Sequence, residues 1–181
     1  VLGHYYGGML DVYSDMTLLS IVFGLHFEIL EMCELKKHRD SLSGVDINKK
    51  IEEFRNEFEV SGECDPLEIE RAAATSCALE TLVKNNDLHA MAYYYEGEDG
   101  NDYENIVTSV IAGNTLLTKK HVPIAGECEI KNAIAMKILD LMDAGGSFSE
   151  FYAVDFDDDI VMWGHDGPAH PAIAEGPVGL V

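Results

Sequence analysis

Apolar positions along the chain alternate between helical and extended spacing, and this alternation predicts a parallel α/β fold. Four apolar residues recur at intervals of four, three and four, which places them on one face of a helix capped by Asp46: Ile47, Ile51, Phe54 and Phe58. Runs of bulky residues over 89–95 and 122–125 are typical of buried strands. Strands that alternate with helices of this length indicate a parallel sheet with crossover helices.

Other helix boundaries follow from capping signals. Asp65 and Pro66 provide an N-cap and a proline at the first helical position, and Glu68 can bond back to the cap, so a helix is predicted from there to about Asn86. Further helices are predicted over 15–23, 105–119 and 129–143, and a further strand over 27–33. The last of these helices carries one apolar stripe, formed by Ile130, Ile134, Ile138 and Leu141.

The pattern changes after the glycine pair at positions 145 and 146, which ends the last helix. Two β runs, over 148–156 and 160–163, are joined by the acidic turn Asp157-Asp158-Asp159, which is typical of a hairpin. We therefore expect a central α/β domain over residues 1–145 and the start of a truncated, β-rich C-terminal domain over residues 146–181.

The net charge of the chain argues against some classes of binding partner. The 181 residues include 12 Lys and Arg against 33 Asp and Glu, a net charge of −21. This surplus repels phosphate backbones and anionic lipid, so we expect no nucleic-acid partner and no membrane partner. No apolar stretch approaches the roughly 20 residues that span a bilayer. The four cysteines form no CxxC pair, which favours reduced thiols and a cytoplasmic location.

Three segments near the end of the chain carry the residues most suited to chemistry. Glu127 follows a buried strand at the edge where α/β sheets bind ligands, Glu150 lies in an apolar strand, and His165 follows the second β run. Two carboxylates and an imidazole would form an open site for Mn²⁺ or another divalent cation, with positions free for substrate oxygens.

Each of these residues has an ordinary structural alternative. Glu127 could stabilise the helix N-terminus through the helix dipole, and Glu150 could point to solvent from an edge strand. His165 and His170 lie in a Gly/Pro turn, where an exposed histidine is the default. Cys128 has no basic or histidine partner nearby, which favours a packed residue over a nucleophile.

Several segments match one family pattern in order along nearly the whole chain. They are GMLDVYSDMT at 8–17, FG at 23–24, EMCEL at 31–35, GE at 126–127, GSFSEFY at 146–152 and GH at 164–165. Together they resemble the L-arabinose isomerase / L-fucose isomerase superfamily, with more likeness to the arabinose isomerase branch.

This resemblance implies a fold and a set of site residues. It implies a Rossmann-like central α/β domain, a parallel sheet flanked by helices, followed by the opening hairpin of a β-rich domain. It assigns Glu127, Glu150 and His165 to a divalent cation, usually Mn²⁺, with a further histidine much later in the family's chain. It also implies that Glu127 and Glu150 are catalytic, without saying which is the base, and that Met9 and Tyr95 line the sugar pocket.

The function implied by the resemblance is that of a metal-dependent aldose–ketose isomerase acting on a pentose or 6-deoxyhexose through an enediolate. A homo-oligomer, trimeric or hexameric, is implied in the same way. With three of four ligands present, we expect this chain to be a folded but inactive fragment that binds metal weakly. The alternative is a non-catalytic sugar- or metal-binding module. A nucleotide-binding domain is disfavoured, because no GxGxxG follows a strand.

Overall fold

A computed structural model describes residues 1–97, 99–165 and 167–181 of the chain. In this structure, short parallel strands are flanked by helices. The helices are α1 Met16–Phe23, α2 Met32–Asp40, α3 Gly44–Glu57, α4 Pro66–Asn85, α5 Asp102–Val107, α6 Ile111–Lys119 and α7 Ile130–Leu141. The strands are β1 Leu2–Gly3, β2 Glu59–Val60, β3 Met91–Tyr94, β4 Ile124–Ala125, β5 Glu150–Asp155, β6 Ile160–Gly164 and β7 Gly179–Leu180. The described part of the chain is therefore mixed α/β.

The central sheet is parallel, in the order β1-β3-β4, and β5 and β6 form a separate antiparallel hairpin. The strands of the central sheet are only two to four residues long, and helices cover both faces of this sheet. One cluster of buried side chains joins the sheet to α2 and α4, and a second joins it to α7 and Phe148. This arrangement confirms the predicted parallel sheet with helices and the predicted hairpin.

The predicted helices α3 and α4 are confirmed, but only part of their predicted capping is. The Asp65 carboxylate accepts a hydrogen bond from the backbone N–H of Leu67 at the start of α4, although Glu68 pairs with Arg71 instead of bonding back to the cap. On α3, Phe54 and Phe58 are buried as the spacing predicts. The start of α3 lies three residues earlier than expected, because Ser43 caps the helix rather than Asp46.

Two predicted elements are wrong. Residues 27–33 do not form a strand: Leu30 makes one parallel bridge to Leu2, and α2 begins at Met32. The predicted helix over 105–119 is two helices, α5 and α6. The Ser109 hydroxyl at the break hydrogen-bonds to the Ile106 carbonyl, and such local bonds compete with helical ones.

The end of the chain returns to the α/β part of the molecule. β7 pairs in parallel with β2, and Val178 and Leu180 pack on the cluster formed by α3, α4 and α6. The tail that follows the hairpin is thus held at its end by β2 and by this cluster. Among the described residues, no helix is both long and apolar enough to cross a membrane.

Candidate functional site

Glu127 lies in a tight turn at the carboxyl end of β4. Glu127 and Cys128 both have positive φ angles, 55° and 57°, which L-residues adopt only at a cost. Two hydrogen bonds fix the turn: the Cys128 N–H donates to the Tyr93 carbonyl, and the Glu129 N–H donates to the Gly126 carbonyl, each over 2.9 Å. The turn holds Glu127 at the sheet edge predicted from the sequence, before α7 begins.

The hairpin brings Glu150 and His165 together. Glu150 begins β5 opposite Gly164 at the end of β6, so the next residue, His165, lies beside it. Nδ1 of His165 is 3.2 Å from Oε2 of Glu150, and the imidazole packs edge-on against Phe148 with ring centroids 4.3 Å apart. Two of the three predicted ligands are therefore in direct contact.

His165 also joins the hairpin to the turn that carries Glu127. A Cβ atom added at Gly126 would lie 3.3 Å from Nε2 of His165, so the imidazole rests over the Gly126 backbone. The residue after Gly126 is Glu127, so all three predicted residues lie at one edge of the sheet. In the segment 164–170, position 166 is outside the described residues.

Negative charge accumulates around Glu127. Burial raises the pKa of the Glu127 carboxyl above its usual value, and the nearby Glu150 carboxylate raises it further. Asp11 and Glu129 act in the same direction, whereas His165 opposes them. Glu127 and Glu150 are thus close enough to repel each other, which is the electrostatic setting that a cation would relieve.

The donor atoms suit a divalent cation, since two carboxylates and an imidazole are common ligands of Mn²⁺ and similar ions. In the part of the chain that the structure describes, however, no group of three or more His, Cys, Asp or Glu side chains is arranged to hold a metal ion. The hydrogen bond between Glu150 and His165 engages a donor atom of each residue. The residues fit a cation in chemistry and location, and Nε2 of His165 and Oε1 of Glu150 are the atoms that this bond does not use.

His170 is engaged elsewhere. Its Nδ1 accepts a hydrogen bond from the Ala172 N–H over 3.1 Å, and its backbone N–H donates to the Ser147 hydroxyl. The side chain therefore caps the short 3₁₀ turn Pro171–Ile173. Cys128 is fully buried, and burial raises the pKa of its thiol to about 11, which agrees with a packed residue.

Tyr95 directly follows β3 at the carboxyl end of a strand of the central sheet, whereas Met9 lies six residues after β1 and precedes the short 3₁₀ turn Leu10–Val12. The Tyr95 ring contacts the rings of His4 and Tyr103, with centroids 5.9 and 5.6 Å apart. These contacts place Tyr95 within an aromatic cluster rather than alone. The roles of Met9 and Tyr95 in a sugar pocket remain predictions.

Tyr94 is the residue that sequence reasoning missed. Its hydroxyl donates to Oε2 of Glu96 over 3.0 Å, and its ring contacts Tyr6 at 5.0 Å and His4 at 5.6 Å. Burial, Glu96, Tyr6 and Glu127 together raise the pKa of the Tyr94 phenol to about 12. The only signal for Tyr94 in the sequence is the run of three tyrosines at 93–95.

Comparisons with known proteins do not assign this chain to a family. No protein-family model matches this chain, and a search of curated proteins finds no significant match.

Proposed function

We propose that this chain is the central part of a divalent-metal-dependent aldose–ketose isomerase of the L-arabinose/L-fucose isomerase type. One observation carries the proposal: Glu127, Glu150 and His165, which are 15 or more positions apart in the sequence, meet at the carboxyl edge of a parallel sheet. The proposal includes a Rossmann-like arrangement of the central domain and a β-rich domain that begins with the β5–β6 hairpin.

The residues of this chain would do two things in that reaction: hold the cation and move a proton. Glu127 and Glu150 would hold the cation together with His165, whose ring is kept in place by Phe148 and the Gly126 backbone. When bound, the cation would polarise the carbonyl and hydroxyl oxygens of an open-chain pentose or 6-deoxyhexose. One of the two carboxylates would take the proton from C2 of the sugar and return it to C1.

The second candidate is a sugar- or metal-binding module without catalysis. It is favoured by the finding that, within the described residues, the three side chains are not arranged as a ligand set. A metal-binding module needs the same three residues for cation binding as the isomerase does, and these two readings then differ in whether ketose forms. Metal titration therefore tests what they share, and a turnover assay separates them.

The first experiment is calorimetric titration of the 181-residue chain with Mn²⁺. We expect weak binding, with a dissociation constant above the micromolar range. Glu127→Gln and Glu150→Gln should each lower the affinity by at least about tenfold, because each removes a charged oxygen ligand. Glu175→Gln, which makes the same chemical change at an exposed tail position, is the matched control and should bind like the unmodified chain.

An affinity unchanged in both Glu127→Gln and Glu150→Gln would contradict the proposed cation site. Binding in the micromolar range or tighter would show that this chain supplies a complete ligand set, and His170 would be the next residue to replace. The second experiment measures ketose formation from a panel of pentoses and 6-deoxyhexoses in a polypeptide that includes the later histidine. Absence of turnover, with Mn²⁺ bound, would favour the binding module.

A further inference from the structure

The side chains of β3 point alternately to the two faces of the central sheet. Met91 and Tyr93 pack on the cluster that joins the sheet to α2 and α4, and Tyr95, directly after the strand, packs there too. Ala92 packs instead on the cluster that includes α7. Because successive side chains of a strand point to opposite faces, Tyr94 lies on the same face as Ala92. In the run 93–95, Tyr94 therefore faces the α7 side of the sheet and its two neighbours face the other side.

The same face of the sheet carries the hairpin residues of the candidate site. Phe148 belongs to the same cluster as Ala92, and its ring packs edge-on against the His165 imidazole, with centroids 4.3 Å apart. His165 in turn contacts Glu150 through Nδ1. The Tyr94 side chain thus leaves the sheet on the side where these two residues are held.

The turn that carries Glu127 is bonded to β3 beside Tyr94. The Cys128 N–H donates to the Tyr93 carbonyl over 2.9 Å, so the backbone just after Glu127 is joined to the backbone just before Tyr94. Glu127 is close enough for its charge to contribute to the raised pKa of the Tyr94 phenol, which is about 12. The phenol is therefore protonated at neutral pH and can both donate and accept a hydrogen bond.

Neighbouring side chains orient the Tyr94 phenol. Its ring packs edge-on against the rings of His4 and Tyr6, with centroids 5.6 and 5.0 Å away, and its hydroxyl donates to Oε2 of Glu96 over 3.0 Å. Tyr94 is half-buried and Glu96 is exposed, so the pair is open to a ligand on its solvent side. Because the phenol is already held in place, little entropy is lost when a ligand binds to it.

We propose that Tyr94 and Glu96 form a subsite, beside the cation site, for the sugar hydroxyl groups beyond C2. This inference rests on the proposed function, in which the cation holds the oxygens of C1 and C2. The rest of an open-chain sugar then extends away from Glu127, and β3 is the neighbouring strand, only about 4.8 Å away. One sugar hydroxyl can donate to the phenol oxygen, which keeps its own bond to Glu96, and the next hydroxyl can donate to the Glu96 carboxylate. The pair therefore matches two adjacent hydroxyl groups of a polyol.

This subsite contributes to sugar binding and does not hold the cation. Tyr94→Phe removes the hydroxyl but keeps the ring against His4 and Tyr6, so the fold and the Mn²⁺ affinity should not change. It should weaken the binding of a polyol about two- to tenfold, which is the loss expected for one hydrogen bond of ordinary strength. Glu96→Ala removes the second acceptor and should also weaken polyol binding. Because Glu96 is exposed, this second variant tests the subsite without disturbing the packing.

The test is a nuclear magnetic resonance titration of the 181-residue chain with arabinitol, using isotope-labelled tyrosine rings and Mg²⁺ as a diamagnetic cation. The Tyr94 signal is identified by its absence from Tyr94→Phe, and saturation transfer to arabinitol measures the affinity of each variant. We expect arabinitol to shift the Tyr94 signal to saturation and to leave the Tyr103 signal unchanged, because Tyr103 packs on the other face of the sheet. Tyr103→Phe makes the same chemical change on α5 and is the matched control, which should bind arabinitol like the unmodified chain.

A Tyr94 signal that arabinitol leaves unchanged at every concentration would overturn the inference. A Tyr94→Phe variant that binds arabinitol as tightly as Tyr103→Phe would also overturn it. The proposed function fails by a different result, an unchanged Mn²⁺ affinity in both Glu127→Gln and Glu150→Gln, so the two failures are distinguishable.

Discussion

Replacing Lys50 by methionine should destabilise the fold through the loss of an ion pair rather than through packing. Lys50 lies on α3 and is only 5% exposed, and its ammonium group contacts Oε2 of Glu53 at 2.5 Å and Oε2 of Glu80 at 2.8 Å. Lys120, just after α6, bonds the other oxygen of each of the same two glutamates. The four charges therefore link α3, α4 and the end of α6.

The size of the effect follows from burial. Removing one partner of a fully buried ion pair costs about 3–5 kcal/mol. Here the side chains of Glu53 and Glu80 are 30% and 32% exposed, and Lys120 still neutralises part of their charge. We therefore expect Lys50→Met to lower the free energy of unfolding by about 1–3 kcal/mol at pH 7. Methionine keeps an unbranched apolar stem, so little packing is lost.

The pH dependence identifies the cause. Burial alone would raise the pKa of Glu53, but the hydrogen bonds and charges of Lys120 and Lys50 lower it overall. A carboxyl whose pKa is lower in the folded state stabilises the fold above its unfolded pKa, and this stabilisation is lost as the pH falls. The difference between the unmodified chain and Lys50→Met should therefore shrink as the pH falls through about 4.

Urea unfolding followed by circular dichroism at pH 7 and in acid measures both effects. Lys49→Met is the matched control, because it removes the same charge from an exposed neighbour on α3 and should change the stability by about 0.5 kcal/mol or less. Equal stability of the two variants at pH 7 would refute the reasoning. A difference that persists unchanged in acid would mean that packing, not charge, is responsible.

Two further changes test backbone features. Gly113→Ala on α6 would place a Cβ 2.9 Å from Cα of Ser76 on α4, so we expect a loss of about 1–2 kcal/mol in urea unfolding despite the better helix propensity of alanine; a gain would contradict the close approach. Glu127→Gly should be about 1 kcal/mol more stable than Glu127→Ala, because glycine adopts the φ of 55° without strain; equal stability would show that the turn relaxes in solution.

Elements whose boundaries are marked by local sequence signals were predicted correctly. α4 was predictable because Asp65 and Pro66 give two independent start signals, and the hairpin was predictable from two β runs around an acidic turn. The prediction over 27–33 failed because Glu31, an unusual N-cap residue, precedes α2. Its backbone N–H is satisfied by the Glu34 carboxylate, so the helix starts without the usual Ser, Thr, Asp or Asn.

Strand pairs and side-chain contacts between distant segments could not be predicted from local sequence signals. β2 and β7 are two residues long and more than 100 positions apart, so neither shows any periodicity. For the same reason the positions of Glu127, Glu150 and His165 beside predicted strands identified the candidate residues but not the direct contact of Glu150 with His165. The place of Tyr94 beside Tyr6 depends on the packing of β1 against β3.

The candidate site combines two features that destabilise the ligand-free fold. Glu127 has a strained backbone, and the pKa of its carboxyl is raised by burial and by Glu150. A carboxyl whose pKa is higher in the folded state favours folding below its unfolded pKa and opposes it as the pH rises through the folded value, so at neutral pH this charge weakens the fold.

Neither cost is needed to build the sheet, because a glycine at position 127 would remove both. A divalent cation between Glu127 and Glu150 would reverse the electrostatic cost, since it would attract both carboxylates and compensate for the water that they lose. It would also bind the folded chain and not the unfolded one, and so would stabilise the fold in proportion to its affinity. The proposed cation would therefore offset both the strain and the repulsion at this edge of the sheet.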